Sequence, residues 1–386
     1  MKHARGLLSI LLILTNLTLL CGCWNYQDIE KVLLVSGFAI DKNEQGDKYL
    51  VTVEVIDFEM AGKEAKQSGK YVESEGTTIF DAVRNVINIV GKKMYWAHSN
   101  ILIISQDIAK EGISPVLDLM FRDTEMREEM YVLISKEKTA QEVLKQELLL
   151  SQTSSDNIQS MITNQKGVGL APIVKVYELV DILEEEGIST VLPAIQLTKN
   201  SDKKTAELTG TAVFKSDKLV GFLNLDETRP FLFITNKIKK GLISVNEDSS
   251  NQMDNITLEI FTTKTKVEPK ISDKKLTMNI EIKIEVALGE LETSVDYIKK
   301  DKQDKLKKDA EAKVKASVEA VIKKVQNDFS TDIFGFGRIT KANKPSVWRS
   351  AKQEGTNLFK DLKTNVKVDI TIKNSALASK PIKKGD

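Results

Sequence analysis

The chain has little of the side-chain chemistry on which most enzymes depend. Of its 386 residues only two are Cys and two are His, and Cys21, Cys23 and His3 fall within the first 23 residues. His98 is then the one imidazole beyond them, so a multi-histidine zinc site has no ligands to draw on and a Ser-His-Asp triad would need His98 itself. Gly-x-Ser-x-Gly, Walker and Gly-x-Gly-x-x-Gly patterns are absent; Gly335-Phe336-Gly337 and Gly167-Val168-Gly169 lack the third glycine and the strand-to-helix setting. A glycosidase would need only two carboxylates, but among 55 acidic residues pairs are unavoidable and read as solvated surface. Neither charge sign dominates: 56 Lys plus Arg against 55 Asp plus Glu leave +1, which excludes a nucleic-acid binder working through a global basic field. No catalytic residue, metal or cofactor is assigned.

Long hydrophobic runs are also scarce. The one that exists, Gly6 to Leu20, follows Lys2 and Arg5, contains Thr15, Asn16 and Thr18, and at about 15 residues is short of the roughly 20 that span a bilayer. A basic start, an apolar stretch and then small residues is the order of a secretory signal. Leu20-Cys21-Gly22-Cys23 follows directly and resembles the bacterial lipobox, which implies cleavage after Gly22 and a lipidated Cys23 as the first mature residue. Removing residues 1–22 takes away Lys2 and Arg5 and turns the balance from +1 to −1, so any attraction to an anionic bilayer needs a local basic patch. The rest of the chain is expected to be extracytoplasmic.

The remainder reads as α+β. Val32 to Asp41 and Lys48 to Asp57 form a hairpin around Asn43-Glu44-Gln45-Gly46-Asp47, and polar Glu59 to Gly76 reads as an exposed connection. Thr77 or Thr78 opens a helix with Phe80, Val83, Val86, Ile87 and Val90 as its apolar set, and Gly91 closes it. Strands at 100–105 and 130–135 flank a short helix from Pro115 to Phe121, and Thr139-Ala140-Gln141-Glu142 is a capping box. Val174 to Glu186 is helical and Pro193 closes it off. The opening hairpin makes a mixed sheet the expectation rather than a doubly wound one. Hairpins follow at 207–225 and 256–288, then a helix from 294 to 329 whose stripe of Leu306, Ala310, Val314, Val318, Val321, Ile322, Val325 and Phe329 packs on its own sheet or, alternatively, on a partner or membrane. A last strand is expected at 365–372.

Composition shifts at Lys199–Lys204 and at Asn246–Asn255 divide the chain into a signal peptide (1–22), an N-terminal α+β domain (23–198), a small middle α+β domain (199–250) and a C-terminal α+β domain (251–386). Two motifs stand out within them. His98, in Met94-Tyr95-Trp96-Ala97-His98, reads as a hydrogen-bonded structural histidine beside aromatic packing, with a partner-facing role as the alternative. Arg122 and Asp123 read as ion pairs that fix a helix-to-strand connection, with a docking patch as the alternative.

These motifs line up with a family. The chain resembles the Ger(x)C spore germination lipoproteins, the C subunits of nutrient germinant receptors. The resemblance runs through Cys23-Trp24, Leu34-Val35-Ser36-Gly37-Phe38-Ala39-Ile40-Asp41, Trp96-Ala97-His98 and Arg122-Asp123. Gly210-Thr211-Ala212-Val213-Phe214-Lys215, Phe334-Gly335-Phe336-Gly337-Arg338, Trp348 and Leu358-Phe359-Lys360-Asp361-Leu362 continue it. Thr124 and Ser99 depart from the family pattern, which has Pro and an apolar residue there. The resemblance implies an elongated α+β arrangement of three domains with mixed sheets. It implies a non-enzymatic subunit on the outer face of the spore inner membrane, lipidated at Cys23 and assembled with membrane A and B subunits. Nutrient recognition in the family is placed on the B subunit, so no tight small-molecule ligand and no nucleic acid are expected. Trp96, His98, Arg122, Asp123 and Arg338 are the partner-contact candidates. The alternative class, a lipid-anchored solute-binding protein feeding a permease, needs a cleft between two similar lobes, and the halves of this chain differ in pattern.

Overall fold

The computed structural model describes residues 31–61, 64–246, 255–272, 275–291, 300–354 and 357–373, with His3, Gly6 and Leu7. Cys21, Cys23 and the expected helical residues before Lys300 lie outside the described residues.

The β-branched runs pair into a sheet of nine strands: β1 (Val32–Lys42), β2 (Tyr49–Ala61), β3 (Glu64–Gly76), β4 (Lys93–Tyr95), β5 (Ile101–Ile104), β6 (Tyr131–Ser135), β7 (Val191–Asn200), β8 (Lys203–Lys215) and β9 (Lys218–Leu223). Their order is β3-β2-β1-β5-β6-β7-β8-β9, with β4 beside the start of β1. The centre from β1 to β7 is parallel, and both wings are antiparallel. The sheet is mixed, as the opening hairpin implied. Side chains alternate across it, so Leu102 and Ile104 of β5 enter one core while Ile101 and Ile103 enter the other. Helices Ile79–Val90, Ser114–Arg122 and Val176–Glu184 cover the first face; Ala140–Leu144 and Ser154–Thr163 cover the second.

Local signals hold where the backbone needs them. The Asp81 amide donates to Thr78 Oγ1 at 3.0 Å at the helix start, Gly91 at φ 67° ends that helix, and Thr139 with Glu142 forms the capping box. Other expectations change. Residues 64–76 are not a free connection but edge strand β3, registered on β2 from Tyr49↔Gly76 to Ala61↔Glu64. An edge strand is held by backbone pairing with its neighbour, so a largely polar sequence can still occupy it. Helix Ile79–Val90 buries Ile79, Ala82, Val83 and Val86, leaving Phe80 and Ile87 exposed. Pro193 does not follow a helix end; it lies inside β7, opposite Thr211. The junction at Lys199–Lys204 is the turn where β7 reverses into β8, so the residues on both sides of it share one sheet.

The second sheet has the order β10 (Gly241–Asn246), β11 (Asn255–Ser272), β12 (Lys275–Leu291), β13 (Lys363–Lys373), antiparallel except for the last pair. A parallel pair needs a crossover, and helix Lys300–Lys324 supplies it. Its stripe from Leu306 to Ile322 is buried in the core of this sheet, which selects the packed alternative for that helix. Helix Leu225–Ile234, absent from the sequence reading, is capped by Asn224 with Glu227 and bridges the bodies: its Phe231 to Ile234 join Val191, Val213 and Leu223 with Ile256, Leu258 and Ile280 in one apolar cluster. Helices Phe336–Asn343 and Pro345–Gln353 were likewise not anticipated.

Candidate functional site

Two of the motif segments meet at one end of the nine-stranded sheet. Trp96 begins a single turn of 3₁₀ helix after β4 and is buried, its ring edge-on to Phe38 at 5.1 Å. The Ser99 hydroxyl donates to the Trp96 carbonyl at 2.7 Å and closes that turn, which gives the departure at Ser99 a role. His98 is exposed, its ring tilted 6.1 Å from Tyr95. Arg127 Nη1 donates to the Ala97 carbonyl at 3.1 Å, and Lys93 pairs with Glu125, tying this turn to the 122–127 loop.

Arg122 and Asp123 part company here. The Arg122 side chain is 77% exposed and pairs with Asp118, one helical turn back, at 2.7 Å. Asp118 raises the already high guanidinium pKa. The Asp123 side chain is only 8% exposed; its Oδ1 accepts the Glu125 amide at 3.0 Å and its Oδ2 lies 3.9 Å from Arg84. Both border a groove of about 800 Å³ between helices Ile79–Val90 and Ser114–Arg122, lined also by Phe80, Arg84, Asp118 and Glu125. Arg84 lies over the exposed Phe80 ring at 4.8 Å, and Phe121 is exposed on the second of these helices.

Arg338 is not part of that groove. The Phe334-Gly335-Phe336-Gly337-Arg338 segment wraps the carboxylate of Asp332, whose Oδ1 accepts from the amides of Phe334 and Gly335 at 3.0 Å and whose Oδ2 accepts from Gly337 at 2.7 Å. Burial pushes Asp332 up to about 6 against those hydrogen bonds. Outside this wrap, Arg338 pairs with Glu185 at 3.1 Å, and Glu186 is held by Lys341 at 3.0 Å and by Lys352. Those two lysines hold the exposed Glu186 carboxyl down near 2. The segment fastens the loop before β7 to the C-terminal body.

The Leu34 to Asp41 motif serves the core. Glu54, fully buried on β2, accepts from Ser36 Oγ (2.8 Å), from the Ser154 and Ser155 amides (2.7 and 2.9 Å), from Ser155 Oγ (2.6 Å) and from the Tyr71 hydroxyl (3.2 Å). Desolvation first, and then Glu54, push the Tyr71 phenol upward. A side chain on Gly37 would come within 2.3 Å of Ser155 Oγ. Asp41 accepts from the Ala140 and Gln141 amides at 2.6 and 2.9 Å, and burial raises it to about 6. Both acids occupy helix N-termini about 100 residues away in sequence, where orphan amides and the macrodipole favour a carboxylate. Sequence reasoning missed Glu54, Asp332 and Gly187; an acid inside a β-branched run was the available signal for Glu54. Among the described residues no group of three or more His, Cys, Asp or Glu is placed to hold a metal ion.

A mixed sheet and a second sheet clamped at a loop, with the motif residues divided between core, clamp and one surface groove, define a two-sheet α+β protein. The chain belongs to the Ger(x)C family of spore germination proteins: residues 25–197 match the family described as "Spore germination protein N-terminal domain" and residues 209–376 that described as "Spore germination B3/GerAC like, C-terminal". It is 25% identical over 370 residues to spore germination protein B3 of Bacillus subtilis (strain 168), covering 92% of this chain and 93% of that one. Spore germination protein KC of the same organism is 22% identical over 409 residues, with 98% of each covered. The crystal structure of the GerBC protein superposes with a TM-score of 0.55 at 21% identity, over 87% of this chain and 96% of that one, and shows the same fold.

Proposed function

We propose that this protein is a non-enzymatic, lipid-anchored C subunit of a nutrient germinant receptor, required for spore germination through assembly with membrane A and B subunits. The observation that carries the reading is the match of both family models together with relatives named for spore germination that align over more than nine-tenths of their length. In this reading acyl chains on Cys23 hold the protein at the outer face of the spore inner membrane; two or more chains make such attachment persistent. Among the described residues no helix is long and apolar enough to cross a membrane. Confinement to two dimensions raises the effective concentration near integral partners, so modest contacts suffice.

The surface assigned to the partners is the groove rim: Phe80, Arg84, Phe121 and Arg122, with Tyr95 and His98 beside it. Trp96 and Asp123 act from behind by holding the two loops, and Arg338 acts in the clamp. A solute-binding protein would enclose its ligand between two similar lobes, and the nine- and four-stranded sheets are unlike. Crosslinking with mass spectrometry on detergent-solubilised dormant-spore membranes tests the assembly. Crosslinks from residues 80–127 to cognate A or B subunits are expected; recovery alone, or with a solute permease, overturns it.

A further inference from the structure

A concave surface of about 880 Å³, away from the groove, lies where the segment after helix Ser154–Thr163 meets the start of the second sheet. It is lined by Lys166, Lys175, Lys237, Lys239 and Lys240, and Glu178 is the one carboxylate in its wall among the described residues. In a chain whose charges balance to +1, five lysines against one glutamate make a local positive field. Lys166, Lys239 and Lys240 are exposed, and none is ion-paired to a described residue. Lys175 Nζ lies 5.7 and 5.9 Å from the ring centres of Tyr131 and Tyr177. Desolvation, with Arg338 adding a like charge, holds the Lys237 ammonium below the usual lysine range in spite of Glu178.

The rim is apolar. Phe261 lines the same cavity and is 44% exposed, and the exposed Val168 and Leu242 lie within two residues of its lining residues Gly169 and Lys240. The Val168 carbonyl lies 3.0 Å from where a side chain on Gly241 would begin, so the helix Gln165–Val168 and the first residues of β10 form one continuous edge. Lysines whose ammonium groups reach phosphate while neighbouring aromatic and aliphatic groups enter the acyl boundary are the chemistry of a bilayer-facing surface.

We propose that this lysine cavity and its rim of Val168, Leu242 and Phe261 dock on the headgroup phosphates of anionic phospholipid, seating the protein on the bilayer in one orientation. The inference adds an orienting contact to the membrane-anchored reading and rests on it for its setting, but the lysines act whether or not Cys23 is acylated.

The test is co-flotation of the mature chain, residues 23–386 carrying Cys23→Ala, with vesicles of phosphatidylcholine, alone or mixed with phosphatidylglycerol. Preference for the mixed vesicles is expected, and Lys166→Gln, Lys239→Gln and Lys240→Gln together should weaken it about a hundredfold, since each lysine near an anionic surface contributes roughly a factor of five. The same charge removed at Lys308, Lys323 and Lys344 should change it far less. Equal loss in both triple variants, or no preference for phosphatidylglycerol, overturns the proposal. Calorimetric binding of inorganic phosphate without vesicle preference reassigns the cavity to a free anion. Comparing acylated and Cys23→Ala chains on phosphatidylcholine alone reads the anchor separately, so failure of either claim is visible on its own.

Discussion

The Arg338 amide donates to the Gly187 carbonyl at 2.8 Å, and this one hydrogen bond marks where the two sheets are clamped together. Gly187 has φ 82°, and a side chain there would begin 2.6 Å from the Arg338 nitrogen and from the Gly337 carbonyl carbon. The reciprocal approach, Gly337 onto the Gly187 Cα, would be 2.8 Å. The pair of glycines is thus what lets two backbones touch, and Ser189, donating to the Asp332 carbonyl at 2.6 Å, continues the contact. Gly187→Ala should cost about 2 kcal/mol or more, from left-handed strain plus the clash. Urea denaturation measures the loss, and limited proteolysis should find new cleavage near 185–190.

Glu54 is the buried acid whose loss should matter most. Glu54→Gln replaces one accepting oxygen by a donor that faces the Ser154 or Ser155 donors, so about 3 kcal/mol should be lost. Denaturation midpoints give the number, and near-wild-type stability would mean that the serines turn away without cost.

Arg122 and Asp123 should behave oppositely. Arg122→Ala removes an exposed, solvent-screened pair one turn apart and is expected to leave the melting temperature unchanged while reducing crosslinks to partners. Asp123→Ala removes the acceptor for the Glu125 amide and the carboxylate near Arg84, and should lower stability by about 1–2 kcal/mol. Thermal melts on both variants separate the two roles.

Asp41 and Asp332 predict a pH dependence of unusual sign. Each is raised from 3.8 to about 6 in the folded state, so the folded chain holds protons there that the unfolded chain has released. Their contribution is full below about pH 4 and is lost as pH rises through 6, by on the order of 2–3 kcal/mol each. The stability of the wild type relative to Asp332→Asn should accordingly fall between pH 4 and pH 7, as read by denaturation at both; a rise would mean that the backbone hydrogen bonds outweigh burial.

Cys23→Ala should move the protein from the membrane to the soluble fraction of spore lysates and weaken germination. Fractionation with immunoblotting reads the first effect, and full membrane retention of a chain of mature size would contradict a single lipid anchor.

Much of this protein is written locally. The stripe from Leu306 to Ile322 repeats at three and four residues, and a helix with such a stripe must bury it wherever it packs; the β-branched runs and the Thr78, Thr139 and Gly91 signals act within a few residues of themselves. The scarcity of Cys and His and the ordered motifs of the family were equally legible in one dimension. Tertiary structure decided the rest. Polar residues 64–76 became a strand because β2 offered its edge, and Phe80 and Ile87 stayed outside because the sheet met the face carrying Ala82 and Val83. Asp41, Glu54 and Asp332 became structural because each meets amides in a water-poor site, two of them about 100 residues distant. Gly187 and Gly337 acquired their purpose only when the clamp closed. Local periodicity carries information over a turn or two of chain, whereas burial, desolvation and backbone contact depend on which surfaces the whole fold brings face to face.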